Sequence, residues 1–284
     1  MGDFSFEREV RTPYSEAYTI REDDRPVGRV DIHFANGVVH LAVAVDESLT
    51  QDAIQEIIDT VDEDMVDAVG IDRSCLFNIF HPDGATGNDL TAQFVARNPD
   101  RFVGFAYVSP LKPEGMIAEL ERAFDELNFV AIKLYPPYTS WPLDDSRWHP
   151  IYEFANERGV AVLIHTDESE VSQPKLLANV AQRYQNVKFV AGHSGNTPAA
   201  RAQAITVARS FPNVYLETCS SFRTPGVIEQ LVSEAGDERV LFGSDIPLMD
   251  PRIQIGKIIT ADISDDAKRQ ALGLNAMRIL NLEI

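Results

Sequence analysis

The strongest constraint on the fold of this chain is a period. Seven short apolar or β-branched runs, Cys75–Phe80, Phe102–Val108, Val130–Leu134, Ala161–His165, Lys188–His193, Val214–Thr218 and Val240–Asp245, end 25 to 31 residues apart. Between them lie stretches with the 3.6-residue apolar spacing of amphipathic helices: Met116–Leu127, Pro150–Arg158, Lys175–Tyr184, Ala199–Ser210 and Gly226–Glu234, with a closing helix over Asp265–Asn281. Continuously apolar strands that alternate with helices belong to a parallel sheet covered by those helices. Repeated at this period, they predict a TIM (β/α)8 barrel, a fold of about 250 residues, and the 284 residues here suffice. An open, doubly wound sheet is the structural rival.

An eighth strand must then come from the first 50 residues, where Arg29–Phe34 and Val38–Val45 compete. The tripeptide Ala35-Asn36-Gly37 separates them, and Asn-Gly tolerates the positive φ values of a tight hairpin turn. The local reading is therefore a β-hairpin, although Val38–Val45 fits the barrel period better, ending 33 residues before Asn78. The expected organisation is residues 1–50 as an N-terminal extension with the hairpin or first strand, and residues 51–284 as the barrel body. A helix is expected over about residues 50–69, where Ile54, Ile57, Ile58, Val61, Met65 and Val69 trace one apolar stripe.

A net charge of −19 argues against nucleic acid, whose phosphates demand clusters of Lys and Arg. Part of this charge is local: Asp46 to Asp67 holds nine carboxylates and no Lys or Arg, the composition of a solvated acidic helix face. No run of 18 apolar residues predicts a membrane span, and the polar start MGDFSFEREVRTPY lacks the apolar core of a secretory signal. Cys75 and Cys219 lie far apart in strand-like runs and are expected to be buried thiols of a cytoplasmic protein. Sequences for a nucleophile elbow, a phosphate loop or a dinucleotide fingerprint do not occur.

Three of the apolar runs end on residues with chemistry. His165 closes VAVLIHTDE, His193 closes VKFVAGHSG and Asp245 closes RVLFGSDIP, with gaps of 28 and 52 residues, about one and two strand-plus-helix units. That spacing places two imidazoles and a carboxylate at the same end of a parallel sheet. Imidazole and carboxylate are the ligand types of a zinc-like divalent metal.

From about Val66 to the carboxyl terminus the chain resembles the amidohydrolase-related metal enzymes, the branch that includes aminocarboxymuconate-semialdehyde decarboxylase and related decarboxylases and hydrolases. The resemblance is carried by AVGIDRSCLF, NPDRFVGFAYVSP, VAIKLYPPY, HPIYEFANERGVAVLIHTDE, VKFVAGHSGN, VYLETCSSF, RVLFGSDIPL and LNAMRILNL, in order over about three quarters of the chain. It implies a divalent metal, Zn2+ first and Mn2+ second. His165 would be the fifth-strand ligand and Asp245 the eighth-strand ligand, able also to take a proton from metal-bound water. His193 would polarise substrate or steer that water. The family's first-strand DxHxH motif has its nearest match in Asp31-Ile32-His33-Phe34-Ala35, where Ala35 replaces the second histidine, so His33 is a candidate ligand without its partner. His40 lies inside the VVHLAVAV run rather than at its end.

Further candidates surround these. His81, after the second strand, and Arg223, just past the seventh, are candidate substrate contacts; Lys133 and Glu217 end strands; His149 opens a helix and reads as structural. The resulting expectation is a metal-dependent enzyme acting on a small polar, carboxylated substrate, with hydrolysis placed slightly ahead of non-oxidative decarboxylation. The alternative is a barrel whose altered first strand leaves it a binding or structural protein. Neither nucleic acid nor membrane is an expected partner, and the resemblance is compatible with a homodimer.

Overall fold

The computed structural model describes residues 4–12, 15–22, 25–35, 38–45, 70–219, 224–246 and 248–282. The chain groups into two compact units, residues 1–71, 221–223 and 244–257, and residues 72–220, 224–243 and 258–284. In the first unit, strands β1 (Phe4–Thr12), β2 (Ser15–Glu22), β3 (Arg25–Ala35) and β4 (Val38–Val45) form an antiparallel sheet in chain order. β3 and β4 pair with Ala35 opposite Val38. Both candidates for a first barrel strand are thus consecutive strands of this sheet, and neither belongs to the parallel one. The reason is geometric: a two-residue link joins antiparallel strands, whereas a parallel pair needs a crossover of a dozen residues or more. Asn36, Gly37 and the expected helix over residues 50–69 lie outside the described residues.

The second unit carries β5 (Ser74–Leu76), β6 (Phe102–Tyr107), β7 (Ala131–Leu134), β8 (Ala161–His165), β9 (Lys188–Gly192), β10 (Val214–Glu217) and β11 (Val240–Leu241). All are parallel and each pairs with its neighbours in chain order. This is the winding of a TIM barrel, seven of whose strands lie among the described residues. The intervening helices follow the expected apolar spacing. Met116–Asp125, for example, buries Met116, Leu120 and Ala123, one stripe at i, i+4 and i+7. His149–Arg158 ends at Gly159, whose φ of 65° suits a left-handed cap.

Side chains alternate across a strand, so residues two apart share a face. Val103, Phe105, Ala131, Ala161, Val190, Tyr215 and Leu241 form one buried cluster with Ile279 and Leu280 from the last helix. Two positions further along their strands stand Lys133, Leu163, Gly192 and Glu217, and two beyond Leu163 stands His165. The apolar layer therefore forms a floor, and polar groups occupy the same face toward the carboxyl ends of the strands. That is the end of such barrels that carries chemistry.

Two polar anchors fix the strand ends. Asn88, fully buried on the helix Ala85–Arg97, donates from Nδ2 to the Tyr107 carbonyl at 3.1 Å and accepts the Tyr107 N–H on Oδ1 at 2.9 Å. At the other edge β11 pairs over only two residues, so the run to Asp245 is not an extended strand to its end. The Phe242 N–H instead donates to the Ala271 carbonyl at 2.7 Å, inside a π-helical turn, Gln270–Leu274. That turn divides the expected closing helix into Asp265–Arg269 and Asn275–Leu280. Asn275 adds a bond from Nδ2 to the Val240 carbonyl at 2.8 Å. No helix among the described residues is long and apolar enough to cross a membrane.

Asn88→Ala deletes two buried backbone contacts at the end of β6. A loss of about 2–4 kcal/mol is expected in urea unfolding; a change below about 0.5 kcal/mol, the usual lower bound for one such bond, would contradict the anchoring role.

Candidate functional site

His165 ends β8, with its backbone opposite Gly192 at the end of β9. The chain then turns sharply at His193-Ser194-Gly195, where His193 has φ 63° and Ser194 φ 44°, followed by Asn196 at 59°. Left-handed backbone at non-glycine residues is disfavoured by about 1–3 kcal/mol each, so the surroundings must hold it in place. They do so through hydrogen bonds. The Ser194 hydroxyl donates to the Glu217 carbonyl at 2.8 Å, and the His193 N–H donates to Glu217 Oε2 at 2.9 Å. The buried Thr166 hydroxyl donates to the Gly192 carbonyl at 2.6 Å and accepts the Gly195 N–H at 3.0 Å.

This turn brings the His193 ring to 4.8 Å from that of His165, edge to face. His165 also borders aromatic rings: Tyr135 lies 4.7 Å from it, centroid to centroid, and Tyr138 lies 4.5 Å from Tyr135. His165 Nε2 is 3.2 Å from Asp167 Oδ2. The Asp167 carboxyl is held down at about 2, chiefly by that bond, against the opposing effect of burial and with further help from Ser169. A carboxylate on one ring nitrogen fixes the imidazole's orientation and tautomer, as in histidines that ligate metals. His165 therefore fits a divalent ion in its supporting carboxylate as well as in its own chemistry.

On the far side of His193 lies a buried cluster. His193 Nδ1 sits 3.0 Å from the Cys219 carbonyl oxygen and 3.2 Å from Cys219 Sγ, and Sγ lies 2.9 Å from Glu217 Oε2. One donor atom from each of His193, Glu217 and Cys219 falls within 4.8 Å of the others.

The remaining candidates are placed differently. Asp245 lies beyond the paired part of β11, in the segment 244–257 that groups with the antiparallel sheet. It too has a left-handed backbone, φ 56°, and its carbonyl accepts the Met249 N–H at 3.1 Å. His33 sits within β3, paired with Ser15 on one side and His40 on the other, so the DxHxH-like spelling does not occupy a barrel strand. His81 lies in the loop after β5, its carbonyl accepting the Gly84 N–H. Arg223 lies outside the described residues. Lys133 is buried, its Nζ 5.0 Å from the centre of the Phe77 ring. His149 bonds Arg183 and borders Tyr184 on the helical layer, a structural position. Cys219 is buried as expected, and Cys75 lies on the short β5, its thiol pushed up to about 12 by desolvation.

The histidine pair lies at the carboxyl ends of adjacent parallel strands, the end of such barrels that carries chemistry, and sequence comparison gives the family. The chain belongs to the amidohydrolase family, whose model matches residues 45–282. It is 26% identical over 235 residues to 2-amino-3-carboxymuconate-6-semialdehyde decarboxylase of Dictyostelium discoideum, covering 69% of this chain and 66% of that protein. It is 26% identical to gamma-resorcylate decarboxylase of a Polaromonas species, covering 56% and 64%, and 27% identical to 2-keto-4-carboxy-3-hexenedioate hydratase of a Sphingobium species, covering 56% and 57%. The matched region thus spans 57% to 66% of the length of these relatives. A solved structure of 5-carboxyvanillate decarboxylase from Novosphingobium aromaticivorans, in complex with manganese and 4-hydroxy-3-methoxy-5-nitrobenzoic acid, shares the fold with a TM-score of 0.64 at 20% identity, covering 83% and 85%.

Asp167, Thr166, Tyr135 and Cys219 were not among the candidates that sequence alone offered. Asp167 and Thr166 follow His165 directly, and a polar pair after a strand-end histidine is the signal that could have found them. Thr166→Val removes the hydroxyl that joins the Gly192 carbonyl and Gly195 N–H. A destabilisation of about 1–3 kcal/mol in denaturant unfolding is expected, and an unchanged midpoint would show that the left-handed turn is held by other means.

Proposed function

We propose that this protein is a divalent-metal-dependent, non-oxidative decarboxylase of a small, planar, unsaturated carboxylate. The observation that carries the reading is the pair His165 and His193, 4.8 Å apart at the ends of adjacent strands, with Asp167 on one ring and an aromatic wall beside it. Three of the four relatives named above act on a carboxylate by removing it. Hydrolysis, the chemistry placed first on sequence grounds, would use the same histidines, but none of those relatives is a hydrolase.

In this proposal His165 holds the ion, its ring oriented by Asp167. Zn2+ and Mn2+ both suit nitrogen and carboxylate donors. When bound, the metal supplies a positive centre that orients the substrate carboxylate and withdraws charge from the carbon skeleton. The rest falls to the chain. Tyr135 and Tyr138 offer ring faces against which a flat substrate stacks. His193 takes up a proton from solvent on Nε2 and delivers it to the carbon that bears the carboxylate. The C–C bond then breaks, its electron pair restores the unsaturated system, and CO2 leaves.

The test is CO2 release from 2,6-dihydroxybenzoate, 5-carboxyvanillate and related hydroxybenzoates with Mn2+ or Zn2+ added, alongside metal analysis. His165→Ala is expected to lose both ion and turnover. His193→Ala is expected to keep the ion and lose about 100-fold or more in rate. Addition of water to an unsaturated acid or cleavage of an ester, without CO2 release from any substrate of the panel, would overturn the decarboxylase reading. Protein that neither holds nor takes up either ion would overturn the metal site.

A further inference from the structure

We infer that Glu217 is a positioning residue that sets the tautomer and orientation of His193. The inference rests on the acid–base role given to His193 above, and on a geometry that the reaction itself does not use. Glu217 is the last residue of β10, on the same face as Tyr215 of the apolar floor. Its carboxylate is buried and accepts from three donors: the His193 N–H at 2.9 Å, the Cys219 S–H at 2.9 Å and the Cys219 N–H. It therefore ties the strained turn after β9 to the loop after β10 through a single group.

The consequence for the ring follows from what each atom can do. The Cys219 carbonyl, 3.0 Å from His193 Nδ1, can only accept, so Nδ1 must carry the hydrogen. The thiol, 3.2 Å from the same nitrogen, has one proton, and the Glu217 carboxylate is the better acceptor for it. With Nδ1 protonated, Nε2 is the basic nitrogen of the neutral ring. This chain of bonds also speaks against the alternative use of the cluster. The His193, Glu217 and Cys219 donor atoms lie close enough for a cation, but they are engaged with one another and with backbone N–H groups, as in a scaffold.

Gly243 shows how closely Glu217 is seated. A Cβ at that position would lie 1.8 Å from Glu217 Oε1, so any side chain there displaces the carboxylate. Gly243 is thus required by close approach, and it provides a way to move Glu217 without removing it.

The experiment is 1H–15N NMR of the histidine rings in the full chain labelled with 15N-histidine. Spectra are taken with EDTA and again with added Zn2+, and the His193 signals are assigned by their loss in His193→Gln. Wild-type protein is expected to show the Nδ1–H tautomer for His193. Glu217→Gln offers an amide where three donors converge, and is expected to give a tautomer mixture while the amide spectrum stays folded. Gly243→Ala is expected to do the same, and Cys219→Ala, which keeps the carbonyl and N–H, is expected to keep the wild-type tautomer. In a decarboxylase assay Glu217→Gln should lower kcat about 10- to 100-fold with KM within about threefold. An Nε2–H tautomer in the wild type would overturn the inference even if both Glu217 and Gly243 variants failed to fold. So would an unchanged His193 signal in those variants, or a change caused by Cys219→Ala alone. The tautomer is read without substrate, so failure of the decarboxylase assay would count against the proposed reaction and not against the role of Glu217.

Discussion

The parallel register of the barrel strands is the constraint on which the described chemistry depends. Because neighbouring strands run in the same direction with Ile164 opposite Ala191 and His165 opposite Gly192, each strand delivers its next residues at nearly the same level. The lower level is closed by Phe105, Ala131, Ala161, Val190, Tyr215 and Leu241, a buried apolar layer. A carboxylate such as Glu217 can be held above it only if its oxygens are satisfied, since an unpaired buried charge costs several kcal/mol. The backbone N–H groups of His193 and Cys219 meet that requirement. The apolar floor and the polar cluster are therefore two parts of one arrangement, and the sharp turn after β9 is its product.

The same arrangement accounts for a strained loop that persists next to the histidine pair. Each left-handed residue would relax if released, but the turn is tied on one side to Thr166 and on the other to Glu217. Two strands thus share the task of holding a third. His165 is supported differently, by Asp167 only two residues further along the same loop. The two rings consequently have separate supports. A change to one side can leave the other in place.

Much of the barrel unit was legible because continuous apolar runs of this period suit few folds besides a helix-covered parallel sheet. AVLIH, the strand that carries His165, begins and ends where its spelling says. What failed to show were features set by distant partners. The run RVLFGSD reads as one strand, yet its pairing stops at Leu241 because the next N–H is taken by Ala271, 29 positions later. Asn36-Gly37 announced the link between β3 and β4, but their membership in a four-stranded meander depended on β1 and β2, whose charged sequences FSFEREVRT and SEAYTIRE carry little apolar signal. For the site, His165 and His193 stood out by position. The inward side of Glu217 follows from its alternation with Tyr215, whereas the bonds that Cys219 makes required the loop's path.

The π-helical turn at Gln270–Leu274 has a further consequence. A regular helix would engage the Ala271 carbonyl within itself; the wider turn leaves it to receive the Phe242 N–H, so the carboxyl-terminal segment serves as the next partner of the last described parallel strand. The segment from Gln270 onward thus holds the residue that follows β11. Trimming them, or joining a fusion partner directly to Asn275–Leu280, would unseat the strand that leads to Gly243. The tail of this chain is a poor place for an engineer to cut.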